Sequence, residues 1–248
     1  MNQREHIWAI ESGRKFLRLI YLKIEKGYKI FPYPFSKENR LAFSNQETEE
    51  QFMNQQSSKL QAKDLITIGI FTAIYFVVFL ACAMLGFIPV FLLAMTFYGP
   101  IITGIPFMLY LTKIKKFGMV TITAIICGIL MFVFGMGYFT MFTALIFGLA
   151  ADFILKAGNY TSKKNTTLAY AVYSIWFIGN YIPLYLTRES YFADLVSGYG
   201  QEYVDTLRAY TPGWMFLVLL AACFIGGLIG AALGKAVLKK HFVRAGIV

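Results

Sequence analysis

The hydrophobic positions of this chain form long uninterrupted runs between residues 65 and 238, and the charged positions lie mostly in the connectors between them. A helix that crosses the hydrocarbon core of a bilayer needs about 20 apolar residues. Runs of roughly that length lie at 65–86, 88–112, 118–138, 140–156, 168–187 and 212–236. They are continuous and do not alternate, so they favour membrane helices over the strands of a barrel.

The charge of the connectors alternates along the chain. Connectors after the first and third runs are uncharged, and the long connector at 188–211 is acidic. Lys and Arg are retained on the cytoplasmic side of a membrane protein. The pattern therefore predicts an all-α, six-span protein of the plasma membrane with both termini in the cytoplasm. The basic groups are Lys59 and Lys63; Lys113, Lys115 and Lys116; Lys156, Lys163 and Lys164; Lys235, Lys239, Lys240 and Arg244.

Two segments complicate this division into spans. Pro89, Pro100 and Pro106 lie in the second run, which predicts either one kinked helix or two short ones. Residues 1–63 precede the membrane domain at 64–248, and they combine a basic amphipathic helix at 4–28 with a polar linker at 36–63. The alternatives for the amphipathic segment are a poorly ordered extension or a start codon assigned too early.

Composition agrees with a membrane protein. The 248 residues are 58% hydrophobic and carry a formal charge of +10, with a mean hydropathy of +0.59. Eleven of the 23 Lys and Arg residues lie in 1–63. We interpret the charge as membrane orientation and attraction to anionic lipid, and not as nucleic-acid binding. Cys82, Cys127 and Cys223 lie in three different runs without metal-ligand spacing, so we interpret them as packing residues.

The sequence argues against catalysis and against self-powered transport. His6 and His241 lie outside the runs, and no metalloprotease, serine hydrolase or nucleotide-binding motif occurs. We therefore predict no enzyme activity, no metal and no cofactor. Asp152 is the one acidic residue between the ends of the spans. It has two interpretations, a structural pair with Lys156 one turn away or a role in a partner interface or gating.

Small residues recur at four-residue spacing, which lets membrane helices approach closely. The sixth run has the longest series, and its first interpretation is packing inside one bundle. The stripes are Ala222, Gly226, Gly230 and Gly234 in the sixth run, Gly69 and Ala73 in the first, Ala124 and Gly128 in the third, and Ala144 and Gly148 in the fourth.

Aromatic and polar residues concentrate around the acidic connector. Aromatic faces with a few directed polar groups are typical of a pocket for a flat organic molecule. The alternative is an interfacial aromatic belt. Asn180 is the sharpest candidate, because an amide in an apolar span needs a partner. The predicted substrate-binding residues are Trp176, Asn180, Tyr181, Tyr185, Arg188, Tyr191, Tyr210 and Trp214.

Residues 59–240 resemble the substrate-binding S components of energy-coupling factor (ECF) transporters, and within them the Trep_Strep or MptD-type group. The stretches that carry the resemblance are KLQAKDLITIGIFTAIYFVVF, GYFTMFTALIFGLAADFILKAGNY and the Gly-rich end of the sixth run. The resemblance implies a six-helix subunit that takes a micronutrient from outside and works with a membrane T component and two cytoplasmic ATPases. It implies docking of the first helix through a small-xxx-small motif, here Gly69 and Ala73, to which we add Asp152.

Two other classes of protein remain as alternatives to a solute-binding subunit of an importer. One is a membrane enzyme or enzyme accessory that uses the carboxylates of the acidic connector. The other is a scaffold or regulator without a ligand. The carboxylates concerned are Glu189, Asp194, Glu202 and Asp205.

Overall fold

A computed structural model of the protein describes residues 60–242, which belong to one compact unit, Gln55–Val248. The amphipathic helix predicted at 4–28 and most of the predicted linker at 36–63 lie outside the described residues. Every regular element between residues 60 and 242 is helical, which confirms the all-α fold class.

Nine α-helices follow one another along the described residues, with three helical pieces of other types. A 3₁₀ turn, Met84–Phe87, follows the first helix, a 3₁₀ segment, Ile175–Tyr181, follows the fifth, and a π-helical turn, Leu238–Phe242, ends the described chain. The α-helices are α1 (Ala62–Ala83), α2 (Pro89–Lys113), α3 (Met119–Val133), α4 (Phe139–Ala157), α5 (Lys163–Ser174), α6 (Pro183–Leu186), α7 (Arg188–Tyr199), α8 (Gln201–Tyr210) and α9 (Met215–Val237).

Four helical stretches are long and apolar enough to cross a bilayer. They are Ala62–Phe87, Pro89–Lys113, Phe139–Ala157 and Met215–Lys240, while Met119–Val133 is apolar but shorter. The second run is one helix and is not divided. Pro89 lies in its first turn, where a missing N–H costs nothing, and Pro100 and Pro106 lie inside it.

The two ends of the helical bundle differ in chemistry. At one end, α7, Gly200 and α8 form a helical hairpin, which we call the cap hairpin, and the Tyr203 Oη donates to the Gly86 carbonyl at 2.7 Å. We call this the cap end. The opposite, basic end carries the α2–α3 and α4–α5 turns and the end of α9. There the Lys116 ammonium lies 2.7 Å from the Asp64 carboxylate, which also accepts from the Gln61 N–H and so caps α1.

The glycine stripe of α9 packs against α2 inside the bundle, as its first interpretation predicts. A Cβ added at Gly226 or Gly230 would meet backbone atoms of α2, and one at Gly234 would lie 2.6 Å from the Gly104 carbonyl oxygen. The stripes of α3 and α4 also face each other, since a Cβ at Gly148 would lie 2.6 Å from that of Ala124. Close backbone approach thus holds both helix pairs.

The polypeptide after α4 crosses the interior of the bundle. Tyr170, Tyr173 and Trp176 are fully buried. The seven-residue 3₁₀ segment Ile175–Tyr181 exceeds the usual three or four residues of this helix type. One of its carbonyl groups has a partner in a neighbouring helix: the Thr143 hydroxyl of α4 donates to the Trp176 carbonyl at 2.7 Å. The fifth predicted run is therefore a buried element of mixed helix type.

Candidate functional site

A cavity of about 210 Å³ lies at the cap end of the bundle. The end of α1 and the start of α2 form one wall, the end of α3 and the segment after it form another, and the 3₁₀ segment and cap hairpin close the rest. We call it the cap-end cavity. Its lining is Phe79, Leu80, Ala83, Gly86, Phe87, Leu92, Met95, Met131, Phe134, Met136, Phe177, Asn180, Tyr181, Leu184, Tyr191 and Tyr199.

The floor of the cap-end cavity is aromatic. The rings of Phe79 and Phe177 meet edge to face, with centroids 4.8 Å apart. Trp176 packs below them, 5.5 Å from the Phe79 ring, and its indole N–H donates to the Tyr75 Oη at 3.2 Å. Trp176 is completely buried and does not line the cavity, so it supports the floor from behind.

Asn180 provides the amide of the cavity wall. Its Oδ1 accepts from the Thr140 hydroxyl at 2.8 Å, and its Nδ2 donates to the Phe177 carbonyl at 3.3 Å. A carboxamide has two N–H donors and two acceptor lone pairs. These bonds to described residues hold the side chain in place and leave one donor and one lone pair for a ligand.

Tyrosines from the 3₁₀ segment and the cap hairpin close the cavity. The Tyr181 Oη donates to the Leu92 carbonyl at 2.6 Å, which ties the 3₁₀ segment to α2. Tyr191 and Tyr199 reach the cavity from α7. Burial, with a smaller contribution from Tyr199, raises the pKa of Tyr191 to about 12. Tyr191 therefore faces the cavity as a neutral phenol at physiological pH.

Arg188 holds the cap hairpin closed and does not reach the cavity. Its guanidinium donates to the carbonyls of Thr211 and Arg208, at 2.7 and 3.0 Å. It also lies 5.0 Å from the centre of the Phe192 ring, and the Arg208 guanidinium lies 4.8 Å from the same ring. Phe192 is thus buried against two cations, which fixes α7 against α8.

Three of the eight predicted substrate-binding residues meet at the cap-end cavity: Asn180, Tyr181 and Tyr191. Trp176 and Arg188 support it indirectly. Tyr185 packs on Phe216, with ring centroids 5.2 Å apart. Tyr210, the last residue of α8, and Trp214, which directly precedes α9, are 50% and 65% exposed, as the interfacial-belt interpretation expects.

The candidate docking residues lie in opposite environments. Gly69 and Ala73 are exposed on one face of α1, and a Cβ at Gly69 would meet nothing within 4 Å. Asp152 is fully buried. Its carboxylate accepts from the Val120 N–H at 3.3 Å and the Thr121 N–H at 2.8 Å, so it caps the N-terminus of α3. The ammonium of Lys156 lies instead 5.3 Å from the Phe117 ring.

The carboxylates of the acidic connector lie on the outside of the cap hairpin. All four are exposed, namely Glu189, Asp194, Glu202 and Asp205. Glu189 pairs with Arg208 at 3.0 Å, and Asp205 accepts from the Gln201 amide at 2.8 Å. None of them lines the cap-end cavity, so they add no acid or base to it.

Much of the cavity lining comes from apolar residues that sequence reasoning did not select. Phe79 and Ala83 lie in α1, and Met95 and Met131 lie in α2 and α3. In a membrane helix, the sequence alone does not show whether an apolar residue faces the lipid, the packed core or a cavity. The aromatic series at Phe71, Tyr75 and Phe79 was the available signal, because lipid-facing positions do not need rings at four-residue spacing.

Exposed apolar side chains surround this bundle, among them Ile66, Val77 and Leu217 at 65%, 65% and 69%. With four membrane-length helical stretches, they define the class of the protein as multi-pass integral membrane. The sequence model of one family, described as a hypothetical bacterial integral membrane protein (Trep_Strep), matches residues 62–244. The chain belongs to this Trep_Strep family. Neither a curated protein nor a solved structure matches the chain.

Proposed function

We propose that the protein is the solute-binding S component of an ECF-type importer that captures a small organic micronutrient. The observation that carries the proposal is the cap-end cavity, a preformed aromatic pocket with one directed amide beneath a helical hairpin. Such a combination of apolar walls and few polar groups is typical of small-molecule sites. The proposal assigns no catalytic step to the chain.

The lining supports a small, uncharged and largely apolar solute. Each of the 16 lining residues is without formal charge at neutral pH, given the neutral Tyr191 phenol. A charged ligand would lose its hydration without gaining a counterion there. The volume of about 210 Å³ lies below the roughly 300–1,000 Å³ of pockets for drug-sized ligands. We therefore expect a single ring system that donates to or accepts from Asn180.

The proposed topology has six spans, with the cap end outside and both termini in the cytoplasm. The fifth crossing is supported by length: the 12 residues of α5 and the seven of the 3₁₀ segment extend about 18 and 14 Å, at 1.5 and 2.0 Å per residue. Their sum, about 32 Å, is enough for the roughly 30 Å of the hydrocarbon core. The lysines at the basic end favour the cytoplasmic side.

The proposed partners are an ECF T component and two cytoplasmic ATPases, which would supply the energy for import. Support comes from α1, where Gly69 and Ala73 leave a shallow exposed face that another helix can approach closely. The buried position of Asp152 gives it a different part, since it would act on docking only by holding α3 in place.

The solute-binding proposal is tested by the small molecules that the purified protein carries. Denaturation should release one uncharged compound, which mass spectrometry should detect at nearly one molecule per protein chain. Ala83→Leu, which fills the cavity, should abolish this, and Ala81→Leu, at an exposed position of the same helix, should not. Equal loading of both variants would reject the cap-end cavity as the site.

The partnership is tested by co-purification from native membranes in mild detergent. A tagged protein should retain a T component and ATPase subunits, and Gly69→Leu or Ala73→Leu should remove them while the solute stays bound. Ala221→Leu is the matched control, because Ala221 is a small exposed residue of α9. Retention of all subunits by both α1 variants would refute docking through this face.

A further inference from the structure

A second and larger cavity, of about 500 Å³, lies at the basic end of the bundle. It is open on one side and is bordered by the C-terminal turn of α2, the turn between α4 and α5, and the end of α9. We call it the basic-end cavity. It lies at the opposite end from the cap-end cavity and shares none of its lining. Its lining is Met108, Leu111, Thr112, Lys113, Lys115, Tyr160, Thr161, Thr166, Lys235 and Leu238.

The charge of the basic-end cavity is entirely positive. Lys113, Lys115 and Lys235 reach it, and no acidic residue is among its lining. The Lys235 ammonium is held in place, since it donates to the Lys163 carbonyl and the Thr167 hydroxyl. Lysines at helix C-termini interact favourably with the helix dipole, but that interaction does not require three of them around one cavity.

The threonine hydroxyls at the rim are already used by the backbone. Thr112 donates to the Leu109 carbonyl at 2.7 Å, and Thr166 donates to the Ser162 carbonyl at 2.7 Å. Besides these hydroxyls, the donor groups that line the cavity are the lysine ammonium groups and the phenol of Tyr160. A set made only of cations and a hydroxyl donor suits an anion with several acceptor oxygens.

Tyr160 supports ligand binding in the basic-end cavity independently of the lysines. Its Oη is buried and has no hydrogen-bond partner among the described residues. Tyr160 has a φ of 56°, and its neighbour Asn159 has a φ of 47°. A left-handed backbone at a bulky residue is strained, and such strain is concentrated at functional sites. Burial, and then the charge of Asp152, raises the pKa of Tyr160 to about 12, so its hydroxyl stays a proton donor at physiological pH.

We propose that the basic-end cavity binds a phosphate group, with the lysine ammonium groups and the Tyr160 hydroxyl donating to its oxygens. Two sources share this chemistry, the headgroup of an anionic phospholipid and a free phosphate. Met108, Leu111 and Leu238 form a buried apolar floor below the lysines, which gives a glycerol or acyl segment a surface to cover. Basic pockets between membrane helices hold lipid headgroups in this way.

The test measures the thermal unfolding midpoint of the full chain in detergent with two probes. One is dioleoylphosphatidylglycerol, with dioleoylphosphatidylcholine as the neutral comparison. The other is inorganic phosphate, with chloride at equal ionic strength. Stabilisation by phosphatidylglycerol alone assigns the phosphate to a lipid headgroup, and stabilisation by inorganic phosphate assigns it to a free phosphate. Stabilisation by neither probe would overturn the proposal.

Three variants distinguish binding in the basic-end cavity from a general attraction of anions to the lysines of that end. Lys115→Gln should lower the affinity for the probe that stabilises the protein about fivefold. The double variant Lys113→Gln with Lys115→Gln should lower it about 25-fold. The matched control is Lys164→Gln with Lys239→Gln, which removes two exposed charges of the same end that do not line the cavity. An equal loss of affinity in the two double variants would refute the site.

Tyr160→Phe distinguishes a ligand-binding role of the phenol from a structural one. Because the Oη has no partner without a ligand, its removal should leave the unfolding midpoint of the probe-free protein unchanged or raise it. The affinity for the probe should fall about tenfold, as for a lost hydrogen bond to a charged group. Unchanged affinity would exclude the phenol from the site and contradict the proposal.

Discussion

Replacement of Asp152 by asparagine is expected to loosen the start of α3. The carboxylate accepts from the Thr121 N–H at 2.8 Å, from the Thr121 hydroxyl and from the Val120 N–H at 3.3 Å. Asparagine keeps one acceptor oxygen and turns an N–H₂ group towards donors. A hydrogen bond to a charged group contributes roughly 1.5–3 kcal/mol, and the substitution removes or weakens about two of the three bonds. Because the neutral amide also costs less to bury, we expect a net loss of about 2–4 kcal/mol.

A loss of that size is measurable as a shift of the thermal unfolding midpoint. For a protein of this length, about 2–4 °C per kcal/mol gives a decrease of roughly 4–16 °C. The reporter is a thiol-reactive dye, since Cys127 of α3 is fully buried and reacts only on opening. Asp194→Asn, at an exposed carboxylate of the cap hairpin, should shift the midpoint by less than about 2 °C. Equal midpoints for the two variants would refute the capping role, and lost co-purification at unchanged stability would favour a direct part in docking.

Three further predictions concern the helix contact, the hairpin and pH. Gly230→Ala should lower the midpoint, because its Cβ would meet the Pro100 carbonyl. Gly69→Ala, in open space, should leave the midpoint unchanged or raise it, since alanine favours a helix over glycine; an equal decrease in both variants would contradict the packing. Phe192→Ala should speed hydrogen exchange in residues 188–210, since the ring lies between two guanidinium groups, and unchanged exchange would contradict it. Tyr191 has a pKa raised to about 12, so its contribution to stability is complete below pH 10 and is lost as the pH rises towards 12; Tyr191→Phe should reduce that alkaline loss, and an identical pH profile would refute it.

Hydrophobic length predicted most of the bundle, and local geometry explains where it did not. The run at 65–86 matches the stretch Ala62–Phe87. The run at 118–138 overshot α3, because Gly135 and Gly137 have φ values of 83° and 77° and end the helix early. The run at 168–187 began too late, since Ser162 caps α5 ahead of its polar first turn.

The candidate site was only partly readable from sequence. Asn180 stood out because a buried amide needs partners, and it does line the cap-end cavity. The sequence analysis assigns no helix to the connector at 188–211, although it forms the two-helix cap hairpin. Val204 and Leu207, three residues apart and buried, were the signal for α8. The basic-end cavity is not predictable from the sequence: its lysines indicate topology and a general attraction to anionic lipid, but their positions along the chain do not show that Lys113, Lys115 and Lys235 meet around one cavity.

The glycine contact between α2 and α9 also sets an order for biosynthesis. Gly104 and Gly230 lie about half the length of the chain apart, yet their backbones touch. Until the ribosome has made α9, the face of α2 that α9 covers stays open among residues 60–214. Packing of α2 therefore waits for α9, and a chain that stops before residue 215 should be recognised by membrane quality-control proteases as incomplete.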